Sequence, residues 1–99
     1  MNTSPPLFDL GRVVATPGAL RLLAEVGRHP FEFLARHVTG DPGDMDEEDK
    51  QANKAALLHG GRIVSSYRVG RTPQEADWMV WIITEAGRHA TTLLLPEEY

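Results

Sequence analysis

The chain contains no cysteine, which excludes disulfides, thiolate metal sites and thiol catalysis together. It also lacks long apolar runs. No stretch approaches the roughly 18–20 residues that span a bilayer, so a membrane partner is not expected. Met1 to Phe8 has neither a basic start nor an apolar segment, and the expected setting is therefore the cytoplasm, without a secretory signal. Positive charge is scarce where nucleic-acid binding would need it. The ten Lys and Arg residues are scattered, against a net charge of −4, so no basic stripe awaits a phosphate backbone and no direct nucleic-acid contact is expected. The histidines His29, His37, His59 and His89 form no His-x-x-x-His or Glu-x-x-His pair on one helix face. Neither a metal nor a cofactor is expected.

What is present fits a single small fold. At 99 residues there is room for one core, burying roughly 60–65% of the unfolded surface. Residues 1–7, with Pro5-Pro6, read as a flexible leader, and residues 8–99 as a single α+β domain.

Local signals divide that domain into a helical half and a strand half. Arg12-Val13-Val14-Ala15 has the composition of a short extra strand. Thr16-Pro17 is a helix start, with a capping hydroxyl followed by a residue whose missing N–H costs nothing there. A first helix is expected over 17–26 and a second, opened by Pro30, over 30–39. In the second, Phe31, Leu34, Ala35 and Val38 fall at i, i+3, i+4 and i+7 as the inward stripe. Asp44-Met45-Asp46-Glu47 reads as a capping box with Asp44 as N-cap. The third helix then runs over 45–59, with Ala52, Ala55 and Ala56 as a small-residue face and Gly60-Gly61 as its stop.

Strands are expected over 62–69, 78–85 and 89–95, from β-branched and aromatic content. Gly70 to Asp77 reads as a long loop, and Glu85-Ala86-Gly87-Arg88 as a tight turn with Gly87 at positive φ. The predicted fold is α+β: three short helices, then a three-stranded antiparallel meander, with Arg12–Ala15 as an extra N-terminal strand.

Several segments carry a resemblance. They are Phe8-Asp9-Leu10-Gly11, Val13 to Leu20, Leu34-Ala35-Arg36-His37 and Asp46-Glu47-Glu48-Asp49. Asn53 with Ala56-Leu57, Trp81 to Ala86 and Thr91 to Tyr99 complete the set. Together they resemble a family of short bacterial proteins encoded on plasmids and other integrating or conjugative elements, described as plasmid-related proteins and sometimes as a type I restriction subunit. A restriction methyltransferase needs a cofactor-binding α/β domain larger than this whole chain. The resemblance implies a mobile genetic element as the setting and transfers no catalytic residue.

Three groups of residues are candidates for chemistry. The acids Asp44, Asp46, Glu47, Glu48 and Asp49, preceded by Asp41, hold six of the 14 carboxylates, and the remaining eight face ten Lys and Arg. Read blandly, they are a solvated helix start that complements the helix dipole. Read functionally, they imitate a phosphate backbone for a protein partner with a basic, nucleic-acid-binding surface. Their spacing does not fit the ligand register of an EF-hand loop. Trp78 and Trp81 alternate onto opposite faces of one strand, which suggests a core role for one and an interface role for the other. Glu85, Arg88 and His89, with Tyr67 on a neighbouring strand, would suit a small RNase or toxin-like enzyme. The reading that leads is a non-enzymatic protein-binding module, an inhibitor or modulator of a host defence or DNA-handling system. The enzyme is the alternative, and a homodimer paired through an open sheet edge is a third possibility.

Overall fold

Thr16 is the joint between the first strand and the first helix. In the computed structural model, which describes residues 5–99, β1 (Arg12–Ala15) leads through Thr16 into α1 (Pro17–Glu25). The Thr16 hydroxyl accepts from the Ala19 N–H at 3.1 Å, and Pro17 occupies the first helical position. Helix α2 (Pro30–Val38) follows, with the Nδ1 of His29 accepting from the Phe31 N–H at 3.1 Å. Helix α3 (Glu47–His59), β2 (Ile63–Arg71), β3 (Asp77–Thr84) and β4 (Ala90–Leu94) complete the order, closed by a 3-10 turn at Pro96–Glu98. Residues 1–4 of the predicted leader lie outside the described residues. The leader's end is anchored, because the Leu7 N–H donates to the Val38 carbonyl at 2.8 Å.

The sheet has four strands in the order β1-β4-β3-β2. Its β2–β3 and β3–β4 pairs are antiparallel, as the meander required. The fold is therefore α+β, but the sheet is mixed: β1 lies parallel to β4, with Arg12 opposite Ala90 and Ala15 opposite Leu93. A parallel pair needs a long crossover, and here everything from α1 to β3 supplies it. The predicted loop from Gly70 to Asp77 is also largely ladder, since Gly70 pairs with Trp78 and Arg71 with Asp77. Only the reversal at Thr72–Ala76 remains, held by the Thr72 hydroxyl accepting from the Ala76 N–H at 3.1 Å.

Two helix faces differ from expectation. In α2 the buried residues are Phe33, Leu34 and His37, while Phe31 is 71% exposed and Ala35 is exposed. The inward stripe includes a histidine, so counting apolar residues selected a face rotated away from the core. In α3 only Ala56 of the three alanines is buried. Its N-cap is Asp46, which accepts from the Asp49 N–H at 2.8 Å, and not Asp44. Gly60, at φ 80°, ends the helix.

Helices α1 and α2 contribute Leu23 and Phe33 to a core completed by Tyr67, Val80, Ile82 and Leu93 of the sheet. The outer edge of β2 is covered by the chain that precedes α3. Ser66 N–H donates to the Pro42 carbonyl at 2.9 Å, Asp44 N–H to the Ser66 carbonyl at 2.6 Å, and Arg68 N–H to the Asp44 carboxylate at 2.8 Å. Gly43 makes this possible: at φ 79° a Cβ there would lie 2.3 Å from the Ser66 carbonyl oxygen. Beyond it, the side-chain amide of Asn53 accepts from the Val64 N–H at 3.0 Å and donates to the Val64 carbonyl. The edge is thus closed by a short backbone bridge at Gly43 and by the side chains of Asp44 and Asn53, where no full strand is available. Among the described residues no helix is long and apolar enough to cross a membrane.

Candidate functional site

Docking residues 41–44 on β2 brings the start of α3 alongside the outward face of the sheet. There Val64 and Ser66 form a floor, and Trp81, opposite Ser66 on β3, forms a wall. The Trp81 ring meets Tyr99 edge-on at 5.5 Å between centroids. Arg62 steadies Tyr99, lying 5.6 Å from the centre of its ring and donating to its hydroxyl at 2.6 Å. Asp44, Asp46 and Asp49 line the same groove. The groove is open to solvent and has a volume of about 650 Å³.

Three of the five sequence-predicted binding acids and one sequence-predicted tryptophan therefore line one groove. Asp44 is held by the Arg68 N–H and Asp46 by its capping bond, so two of the three carboxylates are fixed before any ligand arrives. The other predicted binding residues do not join them. Glu47 turns to a separate cavity behind α3, and Glu48 is exposed outside the groove. Trp78 packs against the core near Val26, whose Cγ1 would lie 3.1 Å from a Cβ added at Gly70. Chemically, the groove sets three aspartates and one cation, Arg62, around an aromatic wall, and its net negative lining with an indole face attracts cations by charge and by the ring quadrupole.

Comparison with protein-family models, curated proteins and solved structures returns no match.

The four residues of the enzyme reading are not assembled into one site. Arg88, in the left-handed region at φ 59°, spends its guanidinium on carbonyls. It donates to Gly61 at 2.6 Å, to Ala56 at 3.1 Å and to Glu85 at 3.2 Å. That arrangement caps the carboxyl end of α3 and leaves no fork for a phosphate. The positive φ of the turn falls on Arg88 and not on Gly87. His89 is exposed, whereas Tyr67 is fully buried on the inner face, donating to the Asp41 carbonyl at 2.6 Å beneath the Arg36 guanidinium. Burial pushes the Tyr67 hydroxyl above the usual phenol range, which removes it from proton transfer near neutrality. Among the described residues no three His, Asp or Glu side chains gather as a metal site.

A second polar centre was not read from the sequence. His37 is buried, with Nδ1 2.6 Å from the Ser65 hydroxyl and Nε2 2.8 Å from that of Thr84. Thr84 in turn lies 2.7 Å from the Thr91 hydroxyl, which donates to the Leu10 carbonyl at 2.7 Å. The carbonyl can only accept, and that fixes each proton as far as His37 Nε2, while a neutral ring leaves Nδ1 to accept. Thr91 donates to Leu10, Thr84 to Thr91, His37 Nε2–H to Thr84, and Ser65 to the bare Nδ1. Burial pushes the pKa of His37 down to about 4, so the imidazole is neutral near pH 7 and its one proton is on Nε2. Ser65, Thr84 and Thr91 occupy strand positions whose alternate neighbours, Ile63, Ile82 and Leu93, are core. Polar residues in an inward register were the available signal for this chain of hydrogen bonds.

Proposed function

We propose that this chain is a non-enzymatic protein-binding module whose groove takes a cationic side chain from the basic surface of a partner protein. The observation that carries the reading is the convergence of Asp44, Asp46 and Asp49 with Trp81 on one concave surface. A lysine or arginine placed there would meet the indole ring within an acidic surround, and aromatic–cation contacts contribute roughly 0.5–2 kcal/mol as they are desolvated. The same carboxylates repel a phosphate backbone, so the partner is a protein and not a nucleic acid. Through its resemblance to plasmid-related proteins, the module is assigned to a mobile genetic element. A nucleic-acid-binding protein of the host's defence or DNA-handling machinery presents the required basic surface, and occupying that surface would inhibit or modulate it. The engagement of Arg88 with backbone carbonyls argues against the RNase-like alternative.

The test is binding of an arginine- and lysine-rich peptide to the full chain carrying Trp78→Phe, which leaves Trp81 as the one indole fluorophore, followed by its fluorescence and by calorimetry of the wild type at low and physiological salt. Saturable, salt-weakened binding that shifts the Trp81 signal and is lost in Trp81→Ala supports the reading. Binding that ignores Trp81, or no binding at low salt, overturns it.

A further inference from the structure

We infer that the cavity between α3 and the His37 end of α2 is a binding site for a small monocarboxylate with a flat apolar body. This site lies behind α3, apart from the groove, and does not depend on the protein-binding reading. The cavity measures about 170 Å³, close to the roughly 150 Å³ engineered cavity that accepts benzene. Its walls are the apolar side chains of Phe8, Leu57 and Ile63, and its floor is His37 and Ser65.

Two features make it a site and not a packing defect. The flank of α3 beside the cavity carries Lys50 and Lys54, one turn apart, Lys50 partly buried and Lys54 exposed at the mouth. That face is built to meet charge at the cavity mouth. The charge is also nearly balanced. Lys50 leans toward Glu47, with Nζ 3.9 Å from Oε1, while Lys54 has no ion-pair partner among the described residues. One surplus positive charge suits a monoanion better than a phosphate dianion.

The floor sets the orientation of the ligand. Both His37 nitrogens are engaged, and the Ser65 proton is committed to Nδ1. No donor remains there for a carboxylate. The apolar body therefore enters first, against Phe8 and the imidazole, and the carboxylate stays at the mouth with Lys54.

Benzoate is the probe, and benzamide is its neutral counterpart of the same shape. Full-length protein is titrated with each while the ring signals of Phe8 and His37 are followed by NMR. Benzoate should shift both rings saturably, and benzamide should bind more weakly. Lys54→Gln should weaken benzoate by up to about fivefold, the range of an exposed charge pair, and leave benzamide unchanged. Leu57→Trp should fill the cavity and abolish both shifts. If that variant fails to fold, the Lys54 comparison still decides. The inference is overturned if benzoate moves neither ring up to tens of millimolar concentration. It is equally overturned if benzoate and benzamide bind alike and Lys54→Gln changes neither.

Discussion

His37 Nδ1 lies 2.6 Å from the Ser65 hydroxyl in the buried interior, and it is the hydroxyl that donates. A protonated His37 would have to turn that bond around and hold a charge away from water. Burial is what lowers its pKa, from 6.5 to about 4 on folding.

The consequence is a specific pH dependence of stability. Below pH 6.5 the unfolded chain takes up a proton that the folded chain refuses until about pH 4. The unfolded state binds more protons in that window, so stability is full above it and declines as the pH falls through it. A shift of this size corresponds to a loss on the order of 3 kcal/mol. Glu32 and Asp41, held low by Arg28 and Arg36, lose their contributions only at more acidic pH, below their ordinary carboxylate range. Urea unfolding between pH 7 and pH 5 therefore isolates the histidine. The wild type should weaken steadily, and His37→Gln should start weaker but respond little to pH. Parallel slopes for the two proteins would contradict the assignment.

Elements with a local cause were legible in the sequence, and those with a distant cause were not. Thr16-Pro17 and Gly60 act through their own backbone neighbours, so the start of α1 and the end of α3 could be read directly. The direction of β1 depends on β4 returning beside it from the far end of the chain, and four residues carry no mark of that. Asp44 was mistaken for the cap of α3 because its role lies with Arg68, on a strand the sequence does not show as adjacent. The groove was visible only as halves, an acidic run and a tryptophan. Their meeting depends on Gly43 letting the chain dock on β2.

Asn53 offers a test of how the β2 edge is closed. Asn53→Ala should remove both bonds to Val64 and cost about 1–3 kcal/mol, the penalty for leaving such groups unpaired. Asn53→Asp keeps an acceptor for the Val64 N–H but offers no donor to its carbonyl, so it should fall between the two. Amide exchange at Val64 should be fast in the alanine variant and slower in the aspartate one. Slow exchange in both would mean that Asn53 does not complete the ladder.

Arg88 distinguishes a structural role from a catalytic one. Because its guanidinium bonds to the Ala56 and Gly61 carbonyls, Arg88→Ala should destabilise the fold by about 2 kcal/mol, the scale of charged hydrogen bonds. The amides of Gly60 and Gly61, which donate to Ala56, should exchange faster. An unchanged melting temperature, together with loss of an RNase activity, would restore the enzyme reading.

The groove can be stripped of charge without being dismantled. Asparagine caps a helix about as well as aspartate, so Asp46→Asn should leave α3 in place. Asp44→Asn likewise keeps an oxygen for the Arg68 N–H, and the Asp49 side chain is exposed. The triple variant should therefore fold as the wild type does, within about 1 kcal/mol, while association with a basic partner slows and loses most of its salt dependence. Glu48→Gln is the control, since it removes a charge from the same helix turn but outside the groove. If Glu48→Gln weakens binding as much as Asp49→Asn does, the acids act only as a diffuse field. A large loss from Asp49→Asn and Trp81→Ala, with little from Glu48→Gln, locates the partner's cation between the carboxylates and the indole. Stopped-flow association rates at two salt concentrations, measured on all four proteins and the wild type, separate these outcomes.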